Sequence, residues 1–301
     1  MRLSVVLAVQ EGAHRLDAVL TALAADLPSG VEVLVVWPGD DDAVARQVER
    51  LTPPERTWLR PLPAPAGALV PALWTHGIER ATAPRVALTI VHCVPVAGWL
   101  QRLVDIDLSR WAGVGGPIDQ RPGSDALGWA IYLQRYAPFA SSCSPDALGE
   151  VPEIAGDNAL YDRAALDAVS GSWDDGFWEP AVHAALRAGG ARLAMDPGLR
   201  VLHHNGYSAR GFCSQRLRHG YRFGRDRALG FRTVTAIAYA AASPAVPLLF
   251  GRKVLVRALG LRGARAQLPG ALPWLAVFIA AWSLGEISGA HAALWSRAGV
   301  R

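Results

Sequence analysis

The chain of 301 residues has few cysteines. Cys93, Cys143 and Cys213 stand apart with no Cys-x-x-Cys spacing, so neither a zinc site nor a disulfide framework is indicated, and a reduced, cytosolic body is the simplest reading. Acid is scarce in one region. Residues 201–301 hold only Asp226 and Glu286 against 14 Lys/Arg, whereas residues 1–200 hold 24 Asp/Glu against 16 Lys/Arg, so the two parts sit near +12 and −8. Such a split describes an acidic body with a basic tail facing phosphates, either of nucleic acid or of a membrane surface. The apolar content of the tail favours the membrane. A long apolar run is missing from the amino terminus, where Met1–Val9 meets Gln10-Glu11-Gly12 at once; this is too short for a signal peptide and reads as a first strand.

Leu3–Val9 is a β-branched run, followed by a helical pattern through Leu16, Leu20, Leu23 and Leu27 and a second apolar strand at Val31–Val36. This is a βαβ opening with buried parallel strands. A helix from about Asp41 to Leu51, a proline-rich link through Pro53, Pro54, Pro61, Pro63 and Pro65, and a helix at about Leu69–Ala81 come next. Arg85–Thr89 reads as a strand, and Pro95 is placed to start a further helix. The alternation predicts an α/β fold with its site at the carboxyl ends of the strands. Gly113–Glu150 is looser, and its aromatics Trp129, Tyr132, Tyr136 and Phe139 serve either core packing or a lid over an acceptor.

Ile154–His204 concentrates the chemistry. Glu179 stands between a polar loop and a helix that Pro180 can open, and a strand-like run from Arg192 ends in His203 and His204. A base and a metal or phosphate ligand at neighbouring element ends suit a transferase, which must deprotonate an acceptor hydroxyl beside a charged leaving group. The bland alternative for Glu179 is an exposed acid at a helix N-terminus. His183 lies one turn further along the same face.

The core fold is expected to end near Asn205, giving a body of residues 1–206 and a tail of residues 207–301. The tail opens with an Arg-rich helix at about Ser208–Phe231 and continues into apolar segments at about Thr233–Phe250 and Leu268–Trp295. The first is near the lower limit for crossing a bilayer, and the second contains Glu286, which costs roughly 2–3 kcal/mol in lipid unless buried against protein. With a cytosolic body, two true spans would put Arg252, Lys253, Arg257, Arg262 and Arg265 on the far side, against the positive-inside tendency. A re-entrant or interfacial hairpin on the inner leaflet fits the charges better than two spans.

The segments SVVLAVQEGAHRLDAVLTAL, VEVLVVWPGDDD, VALTIVHCVPVAGWL, GDNALYDRAALDAV and FWEPAVHAALRAGGARLAMDP occur in an order that resembles family-2 glycosyltransferases of the GT-A fold, over about residues 3–230. The resemblance implies a Rossmann-like α/β sheet with C-terminal membrane-associated helices and transfer of a sugar from a nucleotide-diphosphate donor to a lipid-linked or glycan acceptor. It puts Gln10, Glu11 and Asp40 near the nucleotide, with Trp37 placed to stack on a base; Asp40 as the N-cap of the next helix is the alternative. Family members carry Asp-x-Asp after the strand at Val86–Thr89, holding a divalent metal, but this chain has Ile90-Val91-His92. Three roles are open to His92: a ligand for manganese rather than magnesium, a donor to ribose or phosphate, or a structural residue.

Asp157, in Gly156-Asp157-Asn158, corresponds to the acceptor-side loop, where it would accept a bond from a sugar hydroxyl or cap a helix starting near Ala159. Glu179 falls where the family's base lies. One of His203 and His204 would face the phosphates or a metal (Mn or Mg), the other being structural. Gln215–His219 resembles the Gln-x-x-Arg-Trp element of membrane-embedded polysaccharide synthases, so Arg216 or Arg218 could neutralise a diphosphate, or else lie as a basic face on anionic lipid.

The resulting expectation is an inverting glycosyltransferase at the cytoplasmic face of the membrane, with Glu179 as base. The lost Asp-x-Asp supports a second reading, a non-catalytic homologue that binds a nucleotide sugar or a partner. A nucleotidyltransferase lacks its glycine-rich basic loop here. A nucleic-acid binder would have to work with its basic segment joined to two long apolar runs, so no nucleic-acid partner is expected.

Overall fold

The first strand, β1 (Leu3–Ala8), is buried along its whole length and pairs in parallel with β2 (Val31–Pro38) across helix α1 (Leu16–Ala25). Buried runs of Val and Leu of this kind belong to strands covered on both faces. A computed structural model describes residues 1–53, 55–261 and 263–298; Pro54 and Arg262, named above, lie outside the described residues. Helix α2 (Asp42–Leu51) leads to β3 (Leu59–Ala64), helix α3 (Val70–Arg80) to β4 (Arg85–Ile90), and β4 lies beside β1 in parallel. The expected proline-rich link therefore contains a strand. Its prolines are tolerated because β3 is the edge of the sheet, where a missing N–H costs little.

After β4 comes β5 (Cys93–Pro95), so Pro95 ends a short strand rather than opening a helix. Helix α4 (Trp99–Asp105) starts behind Gly98, which adopts the left-handed conformation. The segment expected to be loose is structured: it holds β6 (Gly113–Gly115), β7 (Ile118–Gln120) and helix α5 (Ala126–Arg135), in which Tyr132 is buried, as is Tyr136 just beyond it. Then come β8 (Gly149–Val151), β9 (Asn158–Asp162), α6 (Arg163–Asp167), α7 (Glu179–Ala188), β10 (Leu193–Met195) and β11 (Val201–His203).

The helix expected near Ala159 is thus strand β9, and the cap is supplied five residues later by Asp162, whose side chain accepts from the Ala165 amide of α6. The run ending in the paired histidines is two strands, broken at Pro197-Gly198 and assigned to different sheets. The main sheet has the order β3-β2-β1-β4-β9-β6-β10-β8, and a small one has the order β5-β11-β7.

The chain divides into two compact units: Met1–Pro122 with Phe139–Gly206, and Gly123–Pro138 with the residues from Tyr207 onward. The first contains both sheets. In the second, helix α8 (Ala209–Gly230) is capped by Ser208, whose hydroxyl accepts from Gly211 N–H at 3.0 Å. It is followed by α9 (Thr233–Ala242), α10 (Val246–Gly260) and α11 (Ala264–Ala298). Helices α8 and α11 meet backbone to backbone: a methyl added at Gly220 or Gly224 would strike the Trp282 or Glu286 carbonyl, and one at Gly285 or Gly289 the Leu217 or Tyr221 carbonyl. Four-residue glycine spacing on both helices is the close-approach pattern of helix pairs in lipid.

Thr233–Gly260 and Ala264–Arg297 are each long and apolar enough to cross a membrane by length and composition. Arg252, Lys253 and Arg257, expected in a connecting loop, lie within α10, and among the described residues the connection shrinks to Leu261 and Gly263. Glu286 is 5% exposed and accepts from Tyr239 Oη–H at 2.6 Å and Trp282 Nε1–H at 2.9 Å, so its carboxylate is sheltered by protein.

Candidate active site

The carboxyl end of β4 organises the first unit. Thr89 Oγ1 donates to the Asp157 carbonyl at 3.0 Å, and the Thr89 carbonyl accepts from Trp74 Nε1–H at 3.1 Å, tying α3 and the Gly156–Asn158 turn to one point. Against that point lies Glu179, the first residue of α7, with Pro180 behind it. Its Oε1 accepts from the Gly156 amide at 3.3 Å. A side chain at Gly156 would press on the Trp74 ring and on Glu179 Cγ, so only glycine lets the turn sit this close. The helix N-terminus favours the ionised carboxylate, as a general base requires.

Asp157 is buried, and both it and Glu179 act electrostatically on Tyr161. The Tyr161 hydroxyl is pushed well up by burial, then by those two carboxylates. It shares a 2.8 Å hydrogen bond with His183 Nε2, and burial, followed by Arg187, holds His183 down at about 3. His183 is therefore a neutral partner of Tyr161. Asn158 is wholly occupied: its Oδ1 accepts from Trp99 Nε1–H at 2.9 Å, and its Nδ2 donates to the Pro117 and Leu199 carbonyls at 3.2 and 2.7 Å. The structure thus brings Glu179 and Asp157 together at one loop.

Three residues past Thr89, His92 is 1% exposed, with Nε2 3.3 Å from the Gln10 carbonyl. Its ring fills the space that side chains at Gly12 and Gly206 would need. The loop after β1 is shaped for this approach, with Glu11 and Gly12 in consecutive left-handed conformations at φ 57° and 70°. Gln10 Nε2 reaches the Ala68 carbonyl at 3.4 Å. His203, fully buried, shares a 2.8 Å hydrogen bond between Nδ1 and Gln120 Oε1, while the next amide, His204 N–H, donates to the His92 carbonyl at 2.7 Å. Gln10, Glu11, His92, His203 and His204 therefore converge.

Two cations join them that sequence reasoning missed. Arg15 closes the short helical turn after Gly12 and donates from Nη2 to the Asn205 carbonyl at 3.1 Å. Arg121 is exposed, and its amide donates to the His203 carbonyl at 3.2 Å. The His204 imidazole is held down at about 4 by burial and then by Arg121 and Arg15, so it is neutral at physiological pH.

Asp40 serves neither as the N-cap of α2 nor next to the His92 cluster among its hydrogen bonds. Its Oδ1 accepts from the Gly67 amide at 2.9 Å, and Asp41 caps α2 through the Val44 amide at 3.0 Å. Trp37 is 7% exposed in β2, opposite Pro63, which leaves little of its ring for a base to stack on.

In the second unit, Arg216 is buried. It donates to Gln215 Oε1 at 2.9 Å and lies 4.8 Å over the Phe212 ring and 5.5 Å over that of Trp282. Arg218 is exposed. His219 is held well below its ordinary value by burial and by Arg216, Arg135 and Arg218.

These residues do not fit a divalent metal. Among the described residues no three of His, Cys, Asp and Glu gather as a ligand set. His203 Nδ1 is engaged by Gln120, and His204 lies in the field of two guanidinium groups that opposes any further cation.

An open α/β sheet with polar groups gathered outside the carboxyl ends of β1 and β4 defines a nucleotide-binding class of fold. Two solved structures narrow the class. The mannosyltransferase PcManGT from Pyrobaculum calidifontis, in complex with GDP-Man and Mn2+, matches with a TM-score of 0.57 at 18% identity, over 95% of this chain and 87% of that one. GalNAc-T7 with UDP, GalNAc and Mn2+ matches with a TM-score of 0.52 at 14% identity, over 69% of this chain and 45% of that one. No family model and no curated protein matches the sequence. The fold is that of the GT-A glycosyltransferases, in divergent form and with two apolar C-terminal helical segments added.

Proposed function

We propose that the chain is a nucleotide-sugar glycosyltransferase that works by direct displacement with Glu179 as base. The observation that carries this reading is the Glu179 carboxylate at the first turn of α7, fixed against the Gly156–Asp157 turn beside the end of β4. Glu179 takes the proton of an acceptor hydroxyl as that oxygen attacks the anomeric carbon. The bond from that carbon to the diphosphate breaks, and its electron pair leaves with the diphosphate oxygen. One displacement inverts the anomeric configuration.

Asp157 accepts a hydrogen bond from a sugar hydroxyl in this scheme. The solved structures of the same fold that hold GDP-Man, or UDP and GalNAc, support a nucleotide-diphosphate sugar as donor. The apolar segments Thr233–Gly260 and Ala264–Arg297, with the arginines of α8, support association with an anionic membrane surface at its cytoplasmic face and an acceptor linked to lipid or growing glycan.

A general base is worth about 10²–10⁴ in rate. Glu179→Gln is expected to lower transfer by that factor while nucleotide binding stays at the wild-type level; wild-type turnover in the variant removes Glu179 from the role. The missing Asp-x-Asp favours a second reading, a non-catalytic homologue at the membrane. It predicts no transfer by the wild-type chain to any acceptor in a radiolabelled screen on membranes.

A further inference from the structure

We propose that the donor's diphosphate is held without a divalent cation, by the guanidinium groups of Arg15 and Arg121 gathered about His204. The proposal rests on the glycosyltransferase reading above and names what replaces the metal in it.

Three segments distant in sequence build this cluster. Gly12, in the left-handed conformation, turns the chain after β1 so that Arg15 N–H bonds back to the Gly12 carbonyl at 2.7 Å. The Arg15 side chain is then anchored by one nitrogen only, Nη2 on the Asn205 carbonyl at 3.1 Å, while its Nε is a buried donor with no hydrogen-bond partner. Arg121 directly follows Gln120, which is in register with His203 in the small sheet and bonds its ring. The guanidinium is therefore tied at its backbone to the strand that delivers His204, but exposed at its head.

Both cations act on the His204 ring strongly enough, with burial, to keep it neutral. The same field that expels a proton from His204 favours an anion there and disfavours a metal ion. Glu11 is the acid of the adjoining loop, one carboxylate against two guanidiniums. Planar guanidinium forks match phosphate oxygens bidentately, and the neutral imidazole adds an N–H donor. Fixed cations also stabilise charge on a departing diphosphate without reorganising as it leaves.

The full chain in detergent, titrated calorimetrically with UDP and with GDP in EDTA and in Mn2+, tests this. We expect one of the two to bind in EDTA with an affinity within about threefold of that in Mn2+, and Arg15→Gln or Arg121→Gln to weaken it about tenfold or more. The matching nucleoside, which carries no phosphate, should bind the variants and the wild type alike, showing that the variants are folded. Arg121→Lys should recover part of the loss. Binding that requires Mn2+, or variants that bind the diphosphate as the wild type does in EDTA, would overturn the proposal while leaving the glycosyltransferase reading intact. If neither diphosphate binds in either condition, that reading falls and this one with it.

Discussion

The two units bury polar groups by opposite means. In the first, Glu32 lies 2% exposed inside the sheet because specific partners surround it: Ser4 Oγ–H donates at 2.6 Å, Thr82 Oγ1–H at 2.6 Å, the Thr82 amide at 2.9 Å and Arg60 at 2.6 Å. Its neighbours are Val and Leu side chains that fill the space between layers. In the second, α8 and α11 approach through the absence of side chains at Gly220, Gly224, Gly285 and Gly289, and arginines lie on aromatic rings, as Arg227 does 5.1 Å over Tyr239. Exposed Leu248, Leu249, Val234 and Trp295 cover the outside. The first unit is built for a core formed by expulsion of water. The second is built for surroundings as apolar as its own side chains, where backbone contact and polar pairing hold helices together.

The comparison breaks most visibly at the glycines. Gly224→Leu would drive a side chain into the Glu286 backbone, and neither helix can yield without losing the other contacts; the expected cost is on the order of 3 kcal/mol or more. Gly251→Leu, on α10 where a methyl would meet only Ile279 Cδ1 at 3.9 Å, is the control and should unfold near the wild type. Equal thermal unfolding of the two variants in detergent would show that close approach is not what holds the helices.

A smaller effect marks the sheet. Burial pushes Glu32 up, but the bonds from Ser4, Thr82 and Arg60 outweigh it and hold the carboxyl at about 2, below its ordinary 4.5. A depressed acid contributes stability that is complete above the unfolded value and is lost as pH falls from about 4.5 to 2. That contribution is on the order of 2 kcal/mol. Acid unfolding of Glu32→Gln should therefore start from lower stability at neutral pH and be flatter across this window than that of the wild type. Parallel curves would mean that the network is electrostatically idle.

What was legible in the sequence follows from how local the cause is. The elements β1, α1, β2, α2 and α3 announce themselves by apolar periodicity, and α8 by its length between Ser208 and Phe231. Strand β3 is hidden because its prolines are acceptable only at a sheet edge, and edge position is decided by pairing far away. Strand β9 has the composition of a helix start and becomes a strand because β4 and β6 flank it. Glu179, Gly156 and Asp157 belong to one short stretch and could be read together. The Arg15, Arg121 and His204 cluster spans nearly 190 residues of sequence and forms only when β7 and β11 pair beside the loop after β1. The glycine spacing of α8 and α11 is visible in the sequence, but it becomes a contact only when two helices present it to each other.

The finest distinction lies between two arginines of one helix. Arg216 is 5% exposed, stacked on Phe212 and Trp282 and bonded to Gln215, whereas Arg218, two residues on, is exposed. Lysine keeps the charge but loses the flat face and the fixed donor fork, so Arg216→Lys should cost about 1 kcal/mol of stability and Arg218→Lys about 0.5 kcal/mol or less. Thermal unfolding of the two variants side by side measures the difference, and sugar transfer at saturating donor gives it meaning. If the Arg216 guanidinium serves packing, its loss lowers the unfolding temperature and leaves transfer per folded molecule unchanged. A variant that melts with the wild type yet loses transfer would instead assign Arg216 to the diphosphate, and would make the second unit a contributor to chemistry rather than to anchoring.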